Sequence, residues 1–315
     1  MPVNLNKQTT SDLMMVRPAN FSSNFETIDT NQFQTFIEKD HNSKSLRDNA
    51  LMEFENMLGI LRENNLNVID FDDDLSLQNS DAIFPNNWVT FHENSTAIIY
   101  PMMSSSRRNE KRKDLLEKLV TTYSFDIETI FDLSYLEQED IYLEGTGSVI
   151  FDRLNKIFFA CLSSRTNYKA LEILADKIGY SFFSFEAFSK SLPIYHTNVM
   201  MSLGEKLAFI CLDSIKDDNS SRKLLSFIEL NDREVIEISI DQMNHFCGNV
   251  LEVSNINSES LIIMSTSAFH SFTEEQKNKI NKLAKIIEIP LGTIEKYGGG
   301  SARCMIAEIF LNKSN

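Results

Sequence analysis

The chain has 315 residues, 42% of them hydrophobic, and a formal net charge of −15 at pH 7. This hydrophobic content is typical of a globular protein with a sizeable core, so a disordered chain is excluded. The acidic balance disfavours nucleic acid and anionic membrane surfaces as partners, because both would be repelled.

The start of the chain and its apolar stretches argue against a membrane or secreted protein. The longest apolar runs, such as residues 97–103, are far shorter than the roughly 20 residues of a membrane helix. The polar segment Met1 to Asp12 lacks the pattern of a secretory signal, so we expect a cytoplasmic protein. With no linker-like composition, residues 14–315 are predicted to form one domain after a flexible segment, 1–13.

The four cysteines argue against a metal or disulfide framework. They stand at positions 161, 211, 247 and 304, form no CxxC pair and share no ligand-like spacing with histidines. We therefore predict neither a zinc site nor structural disulfides, and no cofactor.

Four segments of the chain repeat one pattern, in which a strand turns and returns as a second strand, then gives way to a helix and a further strand. The helical pattern is clearest at Leu115, Leu116, Leu119 and Val120, and at Ile280, Leu283, Ala284 and Ile287. The further strands are predicted at 68–71, 125–130 and 181–185. The predicted hairpins are 88–91 with 96–100, 148–152 with 156–162, 198–203 with 206–213, and 250–254 with 260–264.

A fifth unit near the end lacks an obvious second strand, and Leu13–Arg17 could supply it. Such a circular arrangement of ββαβ units is an α/β propeller, which would remove exposed sheet edges. The fold class predicted is therefore α/β, with five blades around a central site.

A polar residue precedes the first strand of each unit. These residues are spaced 57, 52, 53 and 55 apart, and their common phase would gather them at the centre of the propeller. A carboxylate, an imidazole and a thiol in one place are the parts of a cysteine nucleophile with its acid/base partners. The five residues are Asn87, Glu144, His196, Asn249 and Cys304.

One basic run, from Arg107 to Lys113, departs from the acidic composition. Because Glu110 and Asp114 are interleaved with its arginines and lysines, the run is typical of a solvated helix face.

The segments that carry these residues resemble the guanidino-group-modifying superfamily, which includes arginine deiminases and amidinotransferases, and most of all its citrulline utilization hydrolase branch. The resemblance extends from about residue 14 to residue 310 and implies a five-bladed α/β propeller, or pentein. The motifs that carry it are MVRPANF (15–21), FPNNW (84–88), LEGTGS (143–148), YHTNVMM (195–201), CGNVLE (247–252) and GGGSARCMIAE (298–308).

The resemblance also implies roles for the three reactive residues. Cys304 would be the nucleophile, His196 the general acid/base, and Glu144 the carboxylate that orients the imidazole. A protonated His196 would help to lower the pKa of the thiol. The glycines at 298–300 would either let the backbone approach a substrate closely or form a flexible surface loop.

Two asparagines point to the substrate. Deiminases of the superfamily clamp a guanidinium cation with two aspartates, at positions that here are Asn87 and Asn198. Neutral amides hold a cation more weakly, but they offer a donor and an acceptor to a ureido group. We therefore predict hydrolysis of a ureido amino acid such as citrulline through an S-carbamoyl-cysteine, giving ornithine, ammonia and CO2.

A substrate carboxylate would favour an arginine, and Arg107, Arg108 and Arg165 lie in motifs like those of the superfamily. Asn249 could line the pocket. Two other functions stay open: a deiminase or amidinotransferase acting on a guanidino substrate, and a non-catalytic propeller that binds a partner. The expected partner is a small ureido or guanidino amino acid, and a homo-oligomer is left open.

Overall fold

The computed structural model of the protein describes residues 7–27, 31, 33–35, 43–189 and 191–314. Five three-stranded sheets share one plan: the first and second strands are antiparallel, and the third is parallel to the second. From first to third strand they are β17 (Ala307–Glu308), β1 (Asp12–Arg17) and β2 (Asn67–Asp72); β3 (Val89–His92), β4 (Thr96–Ile99) and β5 (Thr129–Asp132); β6 (Ile150–Asp152), β7 (Ile157–Cys161) and β8 (Ser181–Phe185); β11 (Met201–Leu203), β12 (Leu207–Ile210) and β13 (Glu234–Glu237); β14 (Leu251–Ser254), β15 (Ser260–Ser265) and β16 (Lys285–Ile289). A small hairpin joins β9 (Phe188–Ser189) to β10 (Leu192–Pro193).

Helices occupy the crossovers that lead to each third strand, as parallel pairing requires. Their ends follow local chemistry: Asn167 caps the helix Tyr168–Ile178 by accepting from the Lys169 N–H, and Gly179 ends this helix in the left-handed conformation. The helices are α1 (Ser43–Glu63), α2 (Lys113–Thr121), α3 (Gly145–Ser148), α4 (Tyr168–Ile178), α5 (Asp218–Leu230), α6 (Ile240–Asn244), α7 (Thr266–Ser271), α8 (Glu274–Asn281) and α9 (Gly292–Gly298).

The middle strand of each sheet lies in the core. All four residues of β4 and of β12 are buried, and β1, β7 and β15 are exposed only at their ends. Strands covered on both faces have continuous apolar sequences, which explains why the second strand of each hairpin was recognisable.

The role predicted for Leu13–Arg17 is confirmed. Strand β1 pairs antiparallel with β17, through Leu13 with Glu308 and Met14 with Ala307, and parallel with β2. The segment just before β1 also packs against the rest of the protein, because the buried Gln8 side chain donates hydrogen bonds to the carbonyls of Phe151 and Leu203. The predicted boundary at residue 14 thus lies inside a strand, while Met1 to Asn6 are outside the described residues.

Two predicted elements are wrong in type or position. The helix proposed through Ile280 and Ile287 ends at Asn281, and Ile287 lies in β16, where pairing with β15 and alternate burial of Ile287 and Ile289 favour a strand. The strand predicted at 125–130 is displaced: β5 is Thr129–Asp132. In both places long-range pairing outweighs the local pattern.

The basic run is not a solvated helix face. It spans a 3₁₀ helix, Ser105–Glu110, and the start of α2, and its side chains differ widely in exposure. Arg107 is 3% exposed, whereas the side chain of Lys113 is 63% exposed. The prediction fails because Arg107 has buried carboxylate partners from outside the run, which local charge patterning does not reveal.

No helix among the described residues has the length and apolar character needed to cross a membrane.

Candidate functional site

Short helical turns bring the predicted residues together. They precede the first strands of four sheets, at Pro85–Asn87, Gly145–Ser148, Thr197–Val199 and Ala302–Met305. The predicted first strands therefore begin later than expected. The turn at Gly145 contacts those at Pro85 and Thr197, and the turn at Pro85 contacts that at Ala302.

Glycine permits this approach of the turns. Gly145 has φ +44°, and a Cβ there would lie 2.1 Å from the Asn86 carbonyl oxygen. Another residue at this position would force the two turns apart.

Glu144 and His196 form a buried pair. The Oε2 atom of Glu144 lies 2.8 Å from Nε2 of His196, and both side chains are almost fully buried. Oε1 accepts from the Met103 N–H at 3.1 Å. Since an ionised carboxylate only accepts, Nε2 of His196 carries the proton and Nδ1 is left as the basic nitrogen.

Burial and charge set the protonation of this pair. Burial would raise the pKa of Glu144, but Arg165, the hydrogen bond to His196 and Arg107 together hold it well below its usual range. Burial lowers the pKa of His196 to about 4, despite the opposing effect of Glu144. His196 is therefore neutral at pH 7, and the expectation that a protonated His196 lowers the pKa of the thiol stays a prediction. A neutral imidazole acts there as a base.

Cys304 lies in the last of the helical turns and faces two asparagines. Its Sγ is 3.5 Å from Nδ2 of Asn198 and 3.3 Å from Nδ2 of Asn249. Asn249 also donates to the backbone oxygen of Asn198, which ties the two amides together. Amide donors aimed at the sulfur stabilise a thiolate.

Arg107 fixes the orientation of Asn87. Its Nη1 lies 3.0 Å from Oδ1 of Asn87, and a guanidinium can only donate, so the amide oxygen faces Arg107. The buried Nδ2 of Asn87 then has no hydrogen-bond partner among the described residues. A Cβ on Gly147 would lie 2.5 Å from this Nδ2 and 2.7 Å from Nδ1 of His196, so both atoms border the space above Gly147.

The two buried arginines, Arg107 and Arg165, balance three buried carboxylates. Arg107 makes a two-pronged ion pair with Glu110, at 2.9 and 2.8 Å, and lies 3.5 Å from Asp81 and 3.8 Å from Glu144. Arg165 lies 3.6 Å from Glu144. Three carboxyl groups thus face two guanidinium groups, and burial raises the pKa of Glu110 to about 8 and also raises that of Asp81, which favours their neutral forms.

These groups share one pocket. His196, Cys304, Asn87, Arg107 and Arg165 line it, together with Thr27, Asn31, Asp81, Phe84, Tyr195 and Gly298 to Gly300. Sequence reasoning expected these side chains at one site, and the structure places them around one pocket, with Glu144 behind His196 and with Asn198 and Asn249 beside Cys304. It also proposed Arg108, which the structure places elsewhere: its guanidinium donates to the backbone oxygens of Met102 and Met103 and lies 3.5 Å from Glu137.

Sequence reasoning missed Asp81 and Tyr195. Asp81 is 4% exposed and accepts from Asn24; burial raises its pKa, and its Oδ1 has no hydrogen-bond partner in the described ranges. An aspartate in a polar loop gives no sequence signal. Tyr195 adjoins His196 in the quoted motif, and its hydroxyl donates to the Gly299 oxygen at 2.9 Å.

Comparison with known families identifies the chain. Residues 17–311 match the family described as eukaryotic N,N dimethylarginine dimethylhydrolase. The chain belongs to this family. This family of hydrolases falls in the guanidino-group-modifying pentein superfamily, so the chain is a member of that superfamily. The predicted superfamily and enzyme class are confirmed, whereas the narrower citrulline utilization branch stays a prediction.

Solved structures of other proteins have the same fold as this member of the dimethylarginine dimethylhydrolase family. The cyanobacterial arginine dihydrolase ArgZ of the ornithine-ammonia cycle superposes with a TM-score of 0.73 at 18% identity, over 95% of this chain and 40% of ArgZ. Its N-terminal domain, solved with substrate, is covered to 97%. The Pseudomonas aeruginosa dimethylarginine dimethylhydrolase, in complex with citrulline, gives 0.62 at 15% identity, over 96% of this chain and 100% of that one.

The present chain thus spans about 40% of full-length ArgZ. No match was found among curated protein sequences.

Proposed function

We propose that the protein hydrolyses the C–N bond between the ureido carbon and the amino acid nitrogen of citrulline or a similar ureido amino acid. The products are ornithine, ammonia and CO2. The five sheets form the blades of a propeller around this site, a proposal supported by their shared strand plan and by β1 pairing with β17. The four free cysteines suit a reducing cytoplasm.

The observation that carries the substrate proposal is the pair of unsatisfied amide atoms near Cys304. Within the described chain, Nδ2 of Asn87 is a buried donor and Oδ1 of Asn198 a buried acceptor, each without a partner. A ureido group satisfies both, since its oxygen accepts and its N–H donates. A guanidinium group has only donors and would leave Asn87 unsatisfied.

The proposed first half of the reaction forms a covalent intermediate. Nδ1 of His196 accepts the proton of the Cys304 thiol, and the thiolate adds to the ureido carbon. Asn87 donates to the oxygen on which negative charge develops. His196 then gives its proton to the ornithine nitrogen, the C–N bond breaks, and S-carbamoyl-cysteine is left.

In the second half, His196 removes a proton from water, which attacks the carbamoyl carbon. The bond to sulfur breaks, the thiolate is regenerated or reprotonated from His196, and carbamic acid leaves and decomposes to ammonia and CO2. Glu144 holds the imidazole and stabilises its charged form at each proton transfer.

The amino acid end of the substrate requires its own anchors. We assign its carboxylate to Arg107 or Arg165, which are both buried and line the pocket. Asp81 lines the same pocket with an unsatisfied oxygen, so it is the candidate for the α-ammonium group.

A second candidate function is hydrolysis that starts from arginine. It is favoured by the three buried carboxyl groups of Asp81, Glu110 and Glu144, which outnumber the two arginines beside them and which a guanidinium cation would match in number. The arginine dihydrolase activity stated for ArgZ points the same way. Such an enzyme would release ornithine from arginine in two hydrolyses at one thiol.

Product analysis by mass spectrometry separates these functions. Wild-type protein and a Cys304→Ala control are incubated with citrulline and, separately, with arginine. Ornithine formed from citrulline by wild type alone supports the ureido hydrolase. Ornithine from arginine supports the second candidate, accumulation of citrulline from arginine indicates a deiminase and contradicts the proposal, and no product from either substrate rejects both.

A further inference from the structure

A second cleft lies at the far end of the same strands that carry the catalytic turns. His92 ends β3, whose start follows Asn87, and Arg153 directly follows β6, whose start follows Glu144. The cleft is lined by His92, Glu93, Asn94, Arg153, Lys156, Ile178 and Tyr180, none of which lines the catalytic pocket.

Arg153 is a buried cation that forms no ion pair with any carboxylate of the described residues. It is 4% exposed, and no carboxylate oxygen among the described residues lies within 4.0 Å of it. Its guanidinium instead stacks over the Phe310 ring at 3.7 Å. By comparison, the buried Arg233 has the usual arrangement, a two-pronged pair with Asp152 at 2.8 and 3.1 Å.

His92 does not supply the missing charge. Arg153 Nη1 lies 3.4 Å from Nδ1 of His92, which must accept because a guanidinium only donates. Nε2 of His92 lies 2.9 Å from the Thr90 hydroxyl, and burial, aided by Arg153, holds the pKa of the imidazole well below its ordinary value. The ring is neutral and therefore gives Arg153 no counter-charge.

The remaining guanidinium nitrogens of Arg153 are available to a ligand. Nε and Nη2 make no hydrogen bond within the described part of the chain, yet neither is among the polar atoms sealed from solvent. Arg153 also borders another cavity, where Glu252 and Glu308 offset the charges of Arg153 and Arg303 and leave no net positive charge on the lining to attract an anion. The cleft with Lys156, which has no ion pair among the described residues, is the side that attracts one.

We propose that this Arg153 cleft binds a small carboxylate, separately from the catalytic pocket. Arg153 and Lys156 against Glu93 leave one net positive charge on the lining, which suits a monoanion better than a phosphate dianion. The planar carboxylate matches the guanidinium fork, and the Tyr180 hydroxyl and Asn94 amide supply further donors. The protein as a whole has a net charge of −15 and repels anions, so a local positive site attracts an anion to this one place.

Binding of a small carboxylate to the Arg153 cleft can be tested with trifluoroacetate as the probe, observed by ¹⁹F NMR at constant ionic strength. We expect line broadening with wild type that acetate reverses, and an affinity at least about tenfold weaker in Arg153→Gln. Lys169→Gln, which removes an exposed lysine paired with Glu139, should bind the probe as wild type does, whereas Arg165→Gln reports binding of the probe in the catalytic pocket.

Lys156→Gln provides a second test if Arg153→Gln does not fold, because the Lys156 side chain is exposed. It should weaken binding of the probe in a folded protein. Unchanged broadening in these variants overturns the proposal. Loss of broadening in Arg165→Gln alone would assign the probe to the catalytic pocket, and stronger competition by inorganic phosphate than by acetate would refute the carboxylate class.

Discussion

Arg107 donates from Nη1 to the side-chain oxygen of Asn87 across 3.0 Å and thereby turns the Asn87 amide nitrogen toward the space above Gly147. An arginine outside the proposed triad of Cys304, His196 and Glu144 thus decides which group of Asn87 faces this space. The same bond makes the consequence of replacing Asn87 predictable.

Asn87→Asp should reduce activity on citrulline more than activity on arginine. The substitution removes the donor proposed for the developing oxyanion, so kcat/KM for citrulline should fall by about 10²- to 10³-fold. Asn257→Asp, which adds the same charge at an exposed turn, should leave both rates unchanged. Equal losses on the two substrates, measured by ornithine release, would contradict the role of the Asn87 amide.

Glu144→Gln should reduce both turnover and stability. His196 loses its charged partner, so kcat should fall by about 10²- to 10⁴-fold. Arg165 and Arg107 lose a buried counter-charge, which should lower the free energy of unfolding in urea by about 3–5 kcal/mol. The exposed pair of Glu139 with Lys169 offers the control: Glu139→Gln should change stability by less than about 1 kcal/mol. A normally active Glu144→Gln variant would exclude the orienting role.

His196 should remain neutral down to about pH 4. An unfolded histidine has a pKa near 6.5, so between these values the unfolded chain binds more protons than the folded one. This contribution to stability is fully present above pH 6.5 and is lost as the pH falls toward 4, by roughly 3 kcal/mol in total. NMR titration of the imidazole, assigned with His196→Asn, tests this; a midpoint near 6.5 would show that the ring is not desolvated.

Gly147→Ala should impair catalysis without unfolding the protein. Its methyl group would lie 2.5 Å from Nδ2 of Asn87 and 2.7 Å from Nδ1 of His196, so both side chains must move from their working positions. We expect a loss in kcat/KM of about 10²-fold. Gly59→Ala in α1 meets no atom within 4 Å and should keep full activity with a gain in stability of about 0.5–1 kcal/mol. Full activity of both variants would show that the space above Gly147 is not used.

The sequence predicted the strands and the gathering of Glu144, His196 and Cys304 because both depend on a repeated local pattern. Features that depend on contacts between residues distant in the chain could not be predicted from such local patterns. The burial of Arg107 depends on Asp81 and Glu144, which are distant in the chain, and β16 depends on pairing with β15. Asp81 lies in no repeat position, so no pattern marks it. The protonation state of His196 depends on its burial, and the extent of burial cannot be predicted from the residue type alone.

The helical turns that carry Asn87, Glu144, His196 and Cys304 come from four different sheets, each completed by its own third strand. Each sheet could form its hydrogen bonds while the geometry at the thiol is still wrong. Enzymatic activity is therefore a stricter measure of complete folding than circular dichroism. A chain with all its sheets formed but its turns misplaced would have a native-like spectrum and no activity.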